Sequence, residues 1–277
     1  LYDGMKSIDR CPLPGKLKLW LLRFGLFPRI LWPLTMYAVA ISNVEAMERK
    51  VSGFVRKWLG VPRCVTNVSF YGNCPKLRLP IVSLLEEFKV SKVRTWMMLR
   101  DSPDPVVKDM CPNLNAGRKW NIEEEVEEML GRLKHKEVMG AVQSDKQGLG
   151  SRESQLFLSK ASNVEKRKLV VEEVRLGLDE VRHANSAGMV QQGAWTRWED
   201  VEPRVLSWSE IFRLEPRAIS FWVKATYDVL PSPVNLKKWS LAEFDTCPSC
   251  SAKGSLRHVL TSCPSLLSAY RWRHDTV

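Results

Sequence analysis

The sequence predicts a mainly α protein, a helical bundle and helical linker followed by a small structural zinc knuckle, and three observations carry that expectation. Apolar residues recur at three- and four-residue spacing in segment after segment, while few stretches alternate with period two. Gly and Pro fall where those segments end, at positions that start or stop helices. Near the C-terminus, Cys247, Cys250, His258 and Cys263 form a Cys-x2-Cys-x7-His-x4-Cys cluster. Zinc takes four soft or borderline ligands in a tetrahedron, and a short Cys-x2-Cys turn followed by a second ligand pair supplies them. A set in which protein fills every position leaves no water to activate, so one zinc per chain would hold structure and do no Lewis-acid chemistry.

The elements follow in order. Leu17 to Phe27 and Ile30 to Ile41 read as two helices, with Pro28 and Pro33 at their junction or in the first turn of the second. A third begins at Ser42, with Glu45 three residues on in capping-box register. Val44, Met47, Val51, Phe54, Val55, Trp58 and Leu59 then recur at helical spacing until Gly60 and Pro62 stop the run. Arg49, Lys50, Arg56 and Lys57 occupy the rest of that helix. Residues 1–72 thus form a compact three-helix unit, and residues 73–190 read as a helical linker. Within the linker, Leu79 to Met98 is helical, with Leu84, Leu85, Phe88, Val93 and Trp96 as core, and the Asp-Ser-Pro-Asp-Pro run at 101–105 breaks it.

Asn121 to Val138 carries Glu123, Glu124, Glu125, Glu127 and Glu128 early and Arg132, Lys134 and Lys136 late, a polarity that complements the helix dipole without any catalytic role. Residues 140–154 are Gly/Ser-rich and polar and read as a loop. Asn163 to His183 resumes a charged helix. Residues 191–246 lead to the knuckle: Trp195 and Trp198 share one face if helical, either packed or stacking bases, and Glu215-Pro216 starts a helix that stops at Pro231-Ser-Pro233. The knuckle occupies 247–263, with Ser255 as the N-cap of its second half, and 264–277 begins a further region.

Charge is lopsided. Residues 1–100 hold 17 Lys/Arg against 6 Asp/Glu, whereas 101–277 hold 25 against 25, so the net charge of +11 lies wholly in the first hundred residues. A one-sided basic segment is the footprint of a surface that meets a polyanion; a solvated face without a partner is the alternative. A membrane is the poorer polyanion. The apolar stretch 17–41 is interrupted by Lys18, Arg23, Arg29, Pro28 and Pro33, and each cation at bilayer depth costs about 2.5–3.5 kcal/mol.

Seven cysteines include Cys11, Cys64, Cys74 and Cys111, scattered without ligand spacing, so ordinary buried thiols stand as the alternative to a metal site. Disulfides are the weaker alternative. The odd count and the lack of a signal-peptide pattern point to a reducing, intracellular setting rather than secretion. A chain that opens on Leu1 and stops just after Arg271-Trp-Arg-His-Asp275 reads as a piece of a longer frame, although processing also removes an initiator.

Segment 19–72, LWLLRFGLFPRILWPLTMYAVAISNVEAMERKVSGFVRKWLGVPRCVTNVSFYG, resembles the thumb of reverse transcriptases from non-LTR retrotransposons, in the lineage that carries a C-terminal restriction-like endonuclease. The match continues through Gln191-Gln-Gly-Ala-Trp-Thr-Arg-Trp198, Ala225-Thr-Tyr-Asp-Val-Leu-Pro-Ser-Pro233, the Cys-Cys-His-Cys cluster and Tyr270-Arg-Trp-Arg-His-Asp275, in the family's order. The resemblance implies target-primed reverse transcription in the nucleus, with element RNA and target DNA as partners and no small-molecule substrate. It also implies that residues 1–72 are thumb, that 264–277 open the endonuclease region, and that a palm with paired aspartates lies elsewhere, because two metal ions need them. No Asp-Asp pair occurs in this sequence, so neither catalytic centre is expected in it. Carried over are the metal set and the thumb cations Arg49, Lys50, Arg56 and Lys57, which would grip phosphates without reading sequence. Arg257, Arg271 and Arg273 flank the knuckle and would hold target DNA or element RNA, with solvated surface as the alternative. The other reading is a stand-alone, zinc-stabilised nucleic-acid-binding protein derived from such an element.

Overall fold

The computed structural model describes residues 1–72, 76–109, 116–145, 158–199 and 201–266. Among these the chain is mainly α, with 12 helices and two short strands. Helix α1 (Tyr2–Arg10) is followed by α2 (Gly15–Leu21), a π turn over Leu22–Leu26 and α3 (Phe27–Met36), which run on without a break. No break separates the two helices, and Pro28 takes the second place expected for it, the first turn of α3. Phe27 N–H reaches back five residues to Leu22 O, and the widened turn accommodates a proline that would collide with the carbonyl four residues before it in a regular helix. Helix α3 ends at Met36, short of the expected Ile41, because Tyr37 turns extended.

Helix α4 (Ile41–Leu59) corrects the expected capping box. It starts one residue before Ser42, with Ala40 at the N-cap and no capping side chain. A tertiary bond does the work instead: Ile41 N–H donates to Ala116 O at 2.9 Å. Glu45 faces out to Lys119 at 2.6 Å. The buried face is Ile41, Val44, Glu48, Val51, Ser52, Val55, Trp58 and Leu59, and Gly60 stops the helix in the left-handed region (φ 64°), where a glycine carries no Cβ penalty.

After the short α5 (Val68–Tyr71), strand β1 (Leu77–Arg78) pairs in parallel with β2 (Arg204–Val205), Leu77 opposite Arg204. That pairing and Pro80 keep 77–83 extended, so the helix expected from Leu79 begins later, as α6 (Leu84–Arg100), capped by Ser83, whose Oγ accepts from Glu86 N–H at 3.2 Å. Leu84, Phe88 and Val93 are buried, as their spacing predicts. Helix α7 (Pro105–Asp109) follows the break.

Helices α8 (Ile122–Asp145) and α9 (Asn163–Ala187) pack on one another, and α3, α4, α8 and α9 all pack on α6. Helix α8 continues through 140–145, so the polar loop expected at 140–154 starts later; its remainder, 146–154, lies outside the described residues. Helix α9 opens with a capping box that the pattern reading overlooked, Ser162 with Glu165. Chain 194–197 forms a 3-10 turn, followed by α10 (Trp208–Arg213), α11 (Pro216–Thr226) and α12 (Pro233–Lys238). Pro216 stands in the first turn of α11, as expected, whereas Pro231-Ser-Pro233 both ends one segment and starts the next, because Ser232 caps α12.

Buried ionisable side chains tie the central helices together, Glu86 and Glu173 through salt bridges to and from α9, and Lys92 and Glu48 through hydrogen bonds to backbone. Lys92 of α6 is fully buried and donates through Nζ to Tyr37 O at 2.8 Å, the carbonyl that closes α3; burial pushes its ammonium down to about 8. Glu48 of α4 accepts through Oε2 from Ser83 Oγ at 3.2 Å and from Leu85 N–H at 3.0 Å, so a carboxylate of one helix caps the first turn of the next. Burial raises the Glu48 carboxyl above its ordinary value of 4.5, so the folded state holds the proton more tightly than the unfolded chain. Stability from this group is fully present below that ordinary value and is lost as pH rises through the folded value. Urea unfolding should therefore show wild type losing stability relative to Glu48→Gln as pH rises from acid toward neutral, while Glu48→Ala, which removes the cap, costs about 1–3 kcal/mol.

Candidate metal centre

The knuckle is built from a turn and a widened helical turn. Residues 246 and 253 form an antiparallel bridge, Cys247 N–H donates to Ala252 O at 2.6 Å, and Ser251 N–H returns to Cys247 O at 2.9 Å. Ser251 takes a left-handed conformation (φ 58°) to close the turn. The chain then starts a helix that Ser255 caps, its Oγ accepting from His258 N–H at 3.2 Å, as the sequence predicts. His258–Ser262 is a π turn. Residues five apart on a regular 3.6-residue helix would face about 140° away from each other. The wider turn, with Cys263 leaving it extended, brings His258 and Cys263 to the same side.

The ligand atoms of Cys247, Cys250, His258 and Cys263 all lie within 4.8 Å of one another. Sγ of Cys263 is 3.8 Å from that of Cys247 and 3.7 Å from that of Cys250, and Cys250 Sγ is 3.1 Å from His258 Nε2. These separations are far beyond a disulfide bond of about 2.05 Å and match the edge, about 3.8 Å, of a tetrahedron with metal–sulfur bonds of about 2.3 Å. All three thiols are free. Cys247 and Cys263 are buried and Cys250 and His258 half-buried, so the centre sits at the edge of the molecule with its sulfurs turned in. The four residues could hold a metal ion, and three sulfurs with one imidazole select a soft or borderline one.

Backbone donors prepare the sulfurs for that role. The Ser249 N–H, with smaller help from His258 and the Cys250 N–H, draws the Cys247 thiol down to about 6 against the opposing effect of burial. At Cys250 the Ala252 N–H pulls down, but burial and the neighbouring thiols outweigh it and the thiol is raised. One thiolate thus forms readily and the next must form against its charge, a repulsion that a bound cation would relieve.

The knuckle is fastened to the helical body through α12. Val234 N–H donates to Gly254 O at 3.2 Å, and Lys237 pairs with Asp245 at 3.1 Å. Gly254 is needed here: a Cβ on it would lie 2.6 Å from Pro233 Cγ. Asn235, buried at the base of α12, donates through Nδ2 to Asp228 O and Leu230 O, and Gln191 donates to the same Asp228 O and to Asn235 Oδ1. This amide pair holds the 228–235 turn under the knuckle. Pattern reading missed it because both partners look like ordinary surface amides.

The other predicted site residues are distributed differently. Arg49, Lys50 and Lys57 are exposed on α4, while Arg56 is half-buried. Arg56 donates to Val65 O at 2.7 and 2.9 Å and to Asn67 Oδ1 at 2.6 Å; Lys57 pairs with Asp9 at 2.7 Å; Lys50 lies 5.4 Å from the centroid of the Tyr2 ring. Arg257 is exposed beside the metal ligands, and Arg271 and Arg273 lie outside the described residues. Trp195 and Trp198 do not share a face: Trp195 is buried against Tyr227 and His183, whereas Trp198 leaves the 3-10 turn in a non-helical conformation and is partly exposed. No helix is long and apolar enough to cross a membrane among the described residues. No protein-family model and no curated protein matches the chain.

Two outcomes follow from this geometry. Cys250→Ser should lose the metal and the protection of amides across 245–263 from hydrogen exchange, while amides of α4, α6 and α9 keep theirs. Gly254→Val should loosen the knuckle from α12 and leave its metal content unchanged, which hydrogen exchange with metal analysis reads together.

Proposed function

We propose that this chain is a non-catalytic, nucleic-acid-gripping part of a retrotransposon-type reverse transcriptase, in which a structural zinc organises the joint beyond the helical body. The observation that carries the reading is the concentration of cationic excess in residues 1–100, with Arg49, Lys50 and Lys57 exposed along one helix. Phosphate contacts from such a row fix position on template RNA or target DNA without reading bases. The resemblance of 19–72 and of the knuckle's flanks to that family supplies the identity of the partners and the nuclear setting. The metal proposed is zinc, one per chain, on the strength of three sulfurs and one imidazole at tetrahedral separations. With four protein ligands it would be structural. Cys247, Cys250, His258 and Cys263 are the only group of three or more metal-capable side chains among the described residues.

A second reading is favoured by one feature. A single hydrophobic core runs from Met5 to Val229, so the helical body has the interior of a protein able to stand alone, and a host-retained zinc-stabilised nucleic-acid-binding protein fits it. The genomic frame separates the two: an open frame continuing upstream into an Asp-Asp palm supports the first reading, and a start codon beside Leu1 with a stop after Val277 supports the second.

Binding of an RNA–DNA duplex measured across salt concentrations tests the grip itself. Replacing Arg49, Lys50 and Lys57 together with Glu should lower the slope of log affinity against log salt by about 2–3, near 0.9 for each phosphate that is no longer neutralised. Arg56→Ala should instead cost about 1–3 kcal/mol of stability, because it strands the Val65 carbonyl and Asn67, and leave the slope nearly unchanged.

A further inference from the structure

Between α6 and α9 runs a furrow of about 470 Å3 that belongs neither to the α4 face nor to the metal centre. Its walls carry Arg94, Arg167, Lys168 and Arg175 against a single acid, Glu172, and Met98, Val164 and Val171 supply its apolar surface. The charge balance of residues 101–277, 25 cations against 25 acids, conceals this local excess, because helix folding gathers side chains that the chain intersperses with glutamates. Arg167, Val171 and Arg175 follow one another at four-residue spacing on α9, as do Val164, Lys168 and Glu172, so both rows lie along the same side of the helix. Arg94 and Met98 face them from α6.

Arg175 is held at one end by Glu86 at 3.4 Å and Glu87 at 3.0 Å, whereas Arg94, Arg167 and Lys168 enter no salt bridge among the described residues. Arg94 and Lys168 are exposed and Arg167 half-buried. At the furrow these three cations outnumber the one acid that lines it, Glu172, and an anionic ligand would offset that excess. The furrow also sets the ligand's shape. Packed helices lie about 8–10 Å apart axis to axis, so the furrow between their facing rows is narrow and suits an extended single strand. From Arg167 to Arg175 the helix advances about 12 Å, the rise of three to four stacked nucleotides at about 3.4 Å each.

We propose that the α6–α9 furrow is a second nucleic-acid site, which holds the phosphodiester backbone of single-stranded RNA while Met98 and Val164 receive the sugar faces. The proposal rests on the nucleic-acid reading above and assigns a different surface and a different strand state from those of α4. Among the described residues no aromatic side chain lines the furrow, so the grip follows the backbone and is indifferent to base sequence.

The test compares the full chain with Arg167→Glu/Lys168→Glu, and with the milder Arg94→Gln/Lys168→Gln, on an oligouridine strand and on an RNA–DNA duplex across salt, with circular dichroism confirming helicity. The expected result for the charge reversal is a loss of at least tenfold in oligouridine affinity and a salt slope lower by about 1.4, near 0.7 for each phosphate of a single strand, with duplex binding little changed. The Gln pair should weaken oligouridine binding in the same direction by a smaller factor. Oligouridine binding by wild type that neither variant weakens overturns the furrow site and leaves the α4 reading intact. Failure of wild type to bind either nucleic acid at low salt overturns both.

Discussion

At the crossing of α4 and α6 the Glu48 carboxylate reaches from one helix into the first turn of the other, accepting from Ser83 Oγ and Leu85 N–H in a buried setting. A carboxylate so placed must be bonded or protonated; Oε2 takes the Leu85 N–H that α6 leaves open at its N-terminus, while the buried Oε1 has no hydrogen-bond partner among the described residues, in keeping with the raised carboxyl. The bond therefore fixes the position of the first turn of α6 against α4. Helices α3, α8 and α9 then pack on α6, so the placement of both proposed nucleic-acid surfaces depends on that crossing: the α4 cations on one of its partners, the α6–α9 furrow on the other. Lys92 makes the reciprocal connection, from α6 to the carbonyl end of α3. Apolar burial supplies the bulk of the driving force, and these ties, with the buried Glu86 and Glu173 pairs among α6, α8 and α9, select which helix turn meets which.

The knuckle follows a different logic. Its segment is too short and too polar to bury a core of its own, and its contacts with the body are a hydrogen bond from Val234, the Lys237–Asp245 pair and the tight seat of Gly254 on Pro233. Order there has to come from the four ligands. The turn at 247–252 aims N–H groups at sulfur, and the π turn at 258–262 moves the second ligand pair into reach of the first.

Local signals were legible in the sequence wherever one residue decides the outcome. Gly60 ends α4, Pro216 opens α11, Ser255 caps the knuckle's second half, and the cysteine and histidine spacing places the four ligands together. What pattern reading could not supply were the tertiary substitutes for local rules. Ser42 does not cap α4 because Ala116, distant in sequence, satisfies Ile41 first. The two-residue pairing of Leu77–Arg78 with Arg204–Val205 delays α6, and no periodicity marks a ladder that short. The cations of α4 looked alike in sequence, yet Arg56 is bound to the loop that follows its own helix while Arg49 faces solvent. The furrow was hidden for a related reason, since its charges alternate with acids along α9 and separate only when the helix sorts them by face.

A metal held by Cys247, Cys250, His258 and Cys263 would have all four positions filled by protein and none open to water. X-ray absorption at the metal edge of the purified, reduced chain tests it most directly. The account predicts zinc with three sulfur scatterers at about 2.3 Å and one nitrogen at about 2.0–2.1 Å. A shell dominated by oxygen, or reduced protein that carries no metal, would contradict it.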